Sequence, residues 1–325
     1  MVCRQHLVCT AATAVDFKKV SGWLQDCVQS CEHSQLSRSI LPWPREILLM
    51  DLDDLCLIRA STRTRYLALS YVWGRANAFT TTKSTVTDLL ERGKLKDLVN
   101  ILPSAIRDAM TCVKKLGERY LWVDALCIVQ DDASRKHQQI SQMDVIYSQA
   151  YLTIVADSAE NAKSPLPGIE PATRLCPRRI TALERDWLRL FPDAPVEHPV
   201  ELETLSSSAS ERGIVYNRHG WTFQEELLSS RRLYFNHHNV WFSCNGHVYK
   251  HDLFFTAEEE ETAPLSFYER LPSKLGQNDD FNDGVDKWDT VVECYWWLIE
   301  NYTSRRLTYR SDVLDAINGI LLVSR

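Results

Sequence analysis

Three short apolar runs, separated by two helix-length segments, constrain this chain more than any other feature. YLALSYV (66–72), RYLWVD (119–124) and YLTIVA (151–156) are nearly continuous hydrophobic stretches of strand length, the pattern of strands covered on both faces. Between the first two, Leu102-Pro103 opens a segment with apolar residues at 102, 106, 109, 110, 113 and 116. That spacing is helical, with Pro103 suited to the first turn and Gly117 to the left-handed position past the end. Between the second and third runs, Asp131, Asp132 or Ser134 can cap a helix whose inner face carries Ile140, Met143, Ile146 and Tyr147. Parallel neighbours need crossovers of this length, so strand–helix–strand–helix–strand predicts an α/β fold with a parallel sheet flanked by helices.

The flanking segments divide the chain. Residues 1–44 form an N-terminal helical segment, in which Val15, Phe17, Val20, Trp23, Leu24 and Cys27 recur at helical spacing over 13–34 before Pro42 and Pro44. Residues 45–250 form the main domain. It opens with ILLMDLDD and LCLI around an acidic turn, which predicts a β-hairpin extension. Seven of the twelve prolines fall between Pro165 and Pro199, followed by SSSAS at 206–210. Such a stretch has no periodic apolar face, so 160–212 is expected to be an insertion loop and not a second domain. RRLYF and VWFSC then read as paired strands. Residues 251–325 form a C-terminal helical extension, with apolar positions at 288, 291, 292, 295, 296, 299 and 302. A second helical pattern is still running at Arg325, so more of the protein is expected to follow.

Composition removes several function classes. With 37 basic and 43 acidic residues the net charge is −6 and no basic run occurs, which excludes a nucleic-acid grip through phosphates. No stretch approaches the ~20 apolar residues of a membrane span, and the first fifteen residues lack the apolar core of a signal peptide. Ten dispersed cysteines in 325 residues read as reduced thiols, so a cytoplasmic location is expected. Cys27, Cys31 and His33 fall short of the four ligands of a structural zinc, and no metal site is expected. Dinucleotide, Walker-loop, zinc-protease and nucleophile-elbow motifs are all missing.

Ligands of open parallel sheets bind beyond the carboxyl ends of the strands. The first strand delivers Ser70, Tyr71, Trp73 and Gly74 to that edge, and the second delivers Asp124, Cys127, Gln130 and Asp131; Asp157 and Ser158 follow the third. Aromatic, amide and carboxylate groups on one rim suit a polar, ring-containing ligand. Asp131 serves equally as a helix cap, Trp73 as a core anchor, and Cys127 as a small buried hydrophobe. Asp124, a carboxylate directly after an apolar strand, needs a partner or a solvated cleft. A second cluster, Arg218, Trp221, Gln224 and Glu225, lies at helical spacing, either as an ordinary helix start or as a carboxylate held beside an aromatic wall.

These segments resemble the fungal heterokaryon incompatibility (HET) domain. Its three blocks occur in order: YLALSYVWG at 66–74, RYLWVDALCIVQDD through QQISQMDVIYSQAYLTIVADSA at 119–159, and RHGWTFQEELLSSRRLYF at 218–235. Val129 stands where asparagine often precedes the glutamine. The resemblance covers about Arg45 to Cys244 and implies a Rossmann-like or TIR-like sheet. It also implies a part in non-self recognition leading to programmed cell death, exerted through a homo-oligomer or an incompatibility partner protein. Some TIR domains hydrolyse NAD with a glutamate at the nicotinamide ribose. By that analogy NAD is the candidate substrate with no cofactor required, Glu225 is the candidate glutamate and Asp124 its alternative. The competing expectation is a non-catalytic death-signalling module.

Overall fold

Residues 14–30, 45–74, 79–171, 173–174, 214–237, 239–244, 249–251, 287–307, 310–317 and 320 are described in this computed structural model of the chain. Helix α1 (Phe17–Ser30) buries Val20, Trp23, Leu24 and Cys27, four of the six positions its periodicity marks. Strands β1 (Glu46–Asp51) and β2 (Cys56–Ser61) form the expected hairpin around the acidic turn. The three apolar runs supply β3 (Leu67–Ser70), β4 (Tyr120–Trp122) and β5 (Leu152–Val155). β3 and β5 are buried at every position, as strands covered on both faces must be.

Of the two expected crossover helices, one forms as the sequence predicts and the other is broken. Helix α2 (Ser104–Lys115) joins β3 to β4, with Pro103 just before it and Gly117 at φ +74° beyond its end. The connection from β4 to β5 is not one helix. A single turn, α3 (Asp124–Cys127), precedes α4 (Ala133–Ile140) and α5 (Met143–Gln149). The break falls at Ser141-Gln142, where the Ser141 hydroxyl donates to Gln138 O and Gln142 N bonds Gln139 O in a tighter turn. Nor does Asp131 cap a helix: its carboxylate accepts from Lys83 N at 2.7 Å and ties two loops together.

After 174 the described chain resumes with α6 (Ile214–Arg218), α7 (Gly220–Leu228), β6 (Arg231–Phe235), β7 (Val240–Cys244), β8 (Tyr249–His251) and α8 (Lys287–Thr303). All strands join one eight-stranded sheet in the order β2-β1-β4-β3-β5-β6-β7-β8. This corrects the expectation of a parallel sheet. Only β4, β3, β5 and β6 run parallel, and antiparallel pairs close both sides, with the β1–β2 hairpin a full member of the sheet. Ala162 and Leu166 pack in the main core at the start of the expected insertion; residues 172 and 175–212 of that insertion, and Cys31 and His33, lie outside the described residues. Against α7, residues Leu298, Tyr302, Ala316, Ile317 and Ile320 form a second cluster with Phe223, Leu227 and Leu228. Cys27, Cys56, Cys112, Cys127 and Cys244 are buried and unbridged.

Register fixes where the strand ends point. Leu67 is level with Leu121 and Leu152, and Ser70 with Val155, which in turn is level with Tyr234. Counting on from Leu121 places Asp124 level with Ser70, and Asp157 two residues past Val155. The three polar residues expected along one edge of the sheet therefore share it.

Candidate active site

Helix α7 is apolar on two sides. One side meets the sheet and the other meets the C-terminal helical segment, so almost no part of it faces water. Ser229 anchors its end, donating to Glu225 O at 2.5 Å and sharing a hydrogen bond with Thr153 of β5 at 2.7 Å. Glu225 is the sixth of the nine helical residues, not part of the helix start, and is only 4% exposed. Its carboxylate accepts from the Ser70 hydroxyl at the end of β3, 2.5 Å away. Ser70 is in turn 2.6 Å from the phenol of Tyr216 on α6, and the Tyr147 phenol on α5 also reaches the carboxylate. Burial pushes Glu225 up to about 8; the hydroxyls of Ser70 and Tyr147 and the cation of Arg305 pull the other way, while the charge of Asp124 adds to the rise.

Asp124 forms the outer half of the arrangement. It is partly exposed, and accepts from Trp73 Nε1 at 2.6 Å, from Ala125 N at 2.7 Å and from the Tyr71 phenol. Desolvation still wins, lifting it to about 6. Tyr71 is buried, and the charges of both carboxylates, with desolvation the larger cause, hold its phenol protonated. Two acids whose environments separate their ionisation, beside a partly exposed tryptophan, form a unit that can hold one negative charge near neutral pH while keeping a second proton in reserve. Such a unit can stabilise a developing cation or exchange a proton with a ligand.

The remaining predicted residues divide between support and surface. Gly74 adopts φ +70°, and a Cβ there would stand 2.4 Å from the Asn161 side chain, so the turn after Trp73 requires glycine. Gln130 donates to the carbonyls of Asp124 and Ile128 and holds the loop beneath the acid. Thr81 straps the same loop, donating through its hydroxyl to Leu126 O and through its amide to Ala125 O. Cys127 is fully buried, its thiol pushed up to about 12 by burial, which makes it an inert core residue and not a nucleophile. Trp221 packs partly buried between the two apolar clusters, and Gln224 is buried. Arg218 is exposed, and its carbonyl accepts from Arg306 N. Sequence reasoning missed Tyr147 as more than core, and Tyr216 and Arg305 altogether. The available signal was that a buried tyrosine must find a partner for its hydroxyl.

A family model described as heterokaryon incompatibility protein (HET) matches residues 66–225. Heterokaryon incompatibility protein 6, OR allele, from Neurospora crassa is 32% identical over 117 residues, which cover 32% of this chain. The match spans 16% of that relative's length. No solved structure matches the chain. The matched segment begins at the first of the three apolar runs and ends at Glu225, enclosing both Asp124 and Glu225, and over these residues the chain thus carries a heterokaryon incompatibility (HET) domain.

Proposed function

We propose that this protein is an effector of fungal heterokaryon incompatibility that triggers cell death by cleaving the nicotinamide–ribose bond of NAD. The observation that carries the reading is the meeting of Ser70, Asp124 and Glu225 at the carboxyl end of parallel strands, where a TIR-like sheet would bind its ligand. In the reaction the C1′–N bond breaks and nicotinamide leaves as a neutral molecule with the bonding pair. Water then adds to C1′ and gives up its proton, leaving ADP-ribose. A cationic leaving group needs no general acid, so carboxylates that stabilise the oxocarbenium-like state suffice. Asp124, the outer and more acidic group, supplies charge at neutral pH, and Trp73 offers an exposed face for stacking. Glu225 supplies further charge as it ionises, which a bound pyridinium would favour.

This chemistry requires no cofactor beyond the substrate. Among the described residues no helix is long and apolar enough to cross a membrane. One observation favours a second reading. Glu225 is so deeply buried that it could serve only to lock α7 to β3, and the domain would then act by self-association or by binding a partner. Purified protein incubated with NAD and assayed for free nicotinamide separates the two. Release that disappears in a folded Glu225→Gln variant supports the enzyme, and no release from a folded, oligomeric wild type supports the scaffold.

A further inference from the structure

The family-matched segment stops at Glu225, but the structure that holds Glu225 does not. Residues 305–307 lie along the entry to α7. Gly220 N donates to Arg306 O at 2.8 Å, and Arg306 N donates to Arg218 O at 2.5 Å. A side chain at Gly220 would stand 2.4 Å from Leu307 Cδ2, so the absence of a Cβ lets the two segments meet. Arg305 is half-buried there. Its Nη1 donates to the His219 carbonyl at 3.3 Å and to Thr222 Oγ1 at 3.2 Å, and its guanidinium lies over the Phe223 ring, 4.7 Å from the centroid.

This is the wrong charge for that place if helix stability were its purpose. The first turn of a helix carries the positive end of the dipole, where a cation is disfavoured. What the position does offer is proximity to the buried carboxylate one and a half turns on. Several charged or titratable groups bear on Glu225 or stand beside it: Asp124 after β4, Tyr71 after β3, Tyr147 on α5, Tyr216 on α6 and the adjacent Glu226. All of these carry either negative charge or none. Arg305 alone of the named groups bears positive charge, and its field also depresses the proton affinity of His219, where burial is the larger cause.

We infer that Arg305 is a positioning residue for Glu225, holding the start of α7 by its hydrogen bonds and favouring the carboxylate form by its charge. The working unit therefore extends past the matched segment into the C-terminal helical region. The inference rests on Glu225 being the functional carboxylate, so its test must not depend on turnover. Infrared spectra of the 325-residue chain across pH isolate the protonated Glu225 carbonyl band as the band lost in Glu225→Gln. The expected result is that Arg305→Gln moves the midpoint of this band upward by as much as about one pH unit, and that Arg305→Lys keeps it near the wild-type position. An unmoved midpoint in folded Arg305→Gln overturns the inference. So does an equal shift in Arg305→Lys, because that would assign the effect to packing. If Arg305→Gln melts too early, Arg305→Met keeps the stem on Phe223 and carries the same readout. NAD cleavage is measured on the same samples. A wild type that releases no nicotinamide ends the enzymatic reading, and the titration still decides the role of Arg305.

Discussion

Two buried carboxylates sit at opposite edges of the same sheet and have opposite chemistry. Asp51, at the end of β1, is 2% exposed, and Glu225 is 4% exposed, but Asp51 lies close to the protein surface and Glu225 deep inside it. Asp51 receives the fork of Arg119, at 2.9 Å from Nε and 2.7 Å from Nη2, together with the amides of Asp53 and Asp54. Burial is the largest single influence on it and raises its proton affinity, but these partners together outweigh burial and hold it below the ordinary range. Glu225 is bonded by hydroxyls instead, burial prevails, and it rises to about 8. Low exposure alone thus does not decide the state of a carboxylate; its depth and the charge of what touches it do. A group left in the costly arrangement is the better candidate for chemistry, because stability alone would favour the other one.

The sharpest way to break this contrast is to remove the ionisable carboxyl of Glu225. Glu225→Gln keeps shape and can still accept from Ser70. We expect NAD cleavage to fall on the order of 10²-fold or more, with thermal stability unchanged or raised. A Gln protein that cleaves at the wild-type rate would place Glu225 with the structural carboxylates. Asp51→Ala should behave in the opposite way. It removes the closest carboxylate from Arg119, which keeps Asp54 and Asp53 beside it, and leaves two turn amides unmet, for a loss of about 2–3 kcal/mol in urea unfolding, since the half-exposed arginine can also recover water. Per-molecule turnover in the folded fraction should remain.

The pH dependence of stability sharpens the comparison further, because the two groups contribute with opposite sign. The Glu225 acid is raised from 4.5 to about 8. Its contribution is full below 4.5 and is lost as the pH climbs through 8, because the unfolded chain gives up the proton first. Asp51 is lowered from 3.8; its contribution is present above 3.8 and is lost as the pH falls through its native value. Denaturant midpoints measured across pH should therefore decline between 4.5 and 8 in the wild type. In Glu225→Gln the decline should flatten above 6, the part below 6 persisting because Asp124 is itself raised to about 6. Asp51→Ala should retain that decline and lose the acid-side fall. A wild-type profile that is flat from 4.5 to 8 would contradict the proton held by Glu225.

The sequence carried most of one edge of this picture and little of the other. Apolar runs at 66–72, 119–124 and 151–156 became β3, β4 and β5 because strands covered on both faces have no polar positions to blur the signal. The hairpin around Asp51 was legible for a similar local reason, an acidic turn between two strands. The meeting of Ser70 with Glu225 joins residues 155 positions apart, and no periodicity encodes a pairing across an insertion. The same distance hid β6 beside β5 and Arg305 beside α7. Residues were misjudged where a local rule had a tertiary competitor. Asp131 matched the composition of a helix cap, but Lys83 N takes its carboxylate. Tyr147 was correctly placed on an inner face, yet its hydroxyl reaches Leu69 O and Glu225, contacts that hydrophobic spacing cannot reveal.

The smallest expected effect concerns the outer acid, and it tests whether Asp124 and Glu225 act as one unit. Trp73 is 36% exposed, and its Nε1 donates to Asp124 Oδ2 at 2.6 Å. Trp73→Phe keeps an aromatic face but deletes that donor, and one of the interactions that lowers Asp124 against its desolvation disappears. The ionisation now near 6 should move upward, by less than about one unit because the site is open to water. The consequence for turnover depends on pH in a definite way. Below 6 the fraction of ionised Asp124 falls with the shift, giving a loss of up to about tenfold in kcat/KM; above 8 Asp124 is ionised in either protein, and the two rates should converge. Trp73→Ala, which loses the ring as well, should stay slower at every pH if stacking contributes. A constant deficit for Trp73→Phe across the whole range would show that the indole matters for its shape and not for its bond to Asp124. The outer carboxylate would then be a neighbour of Glu225 and no longer its partner.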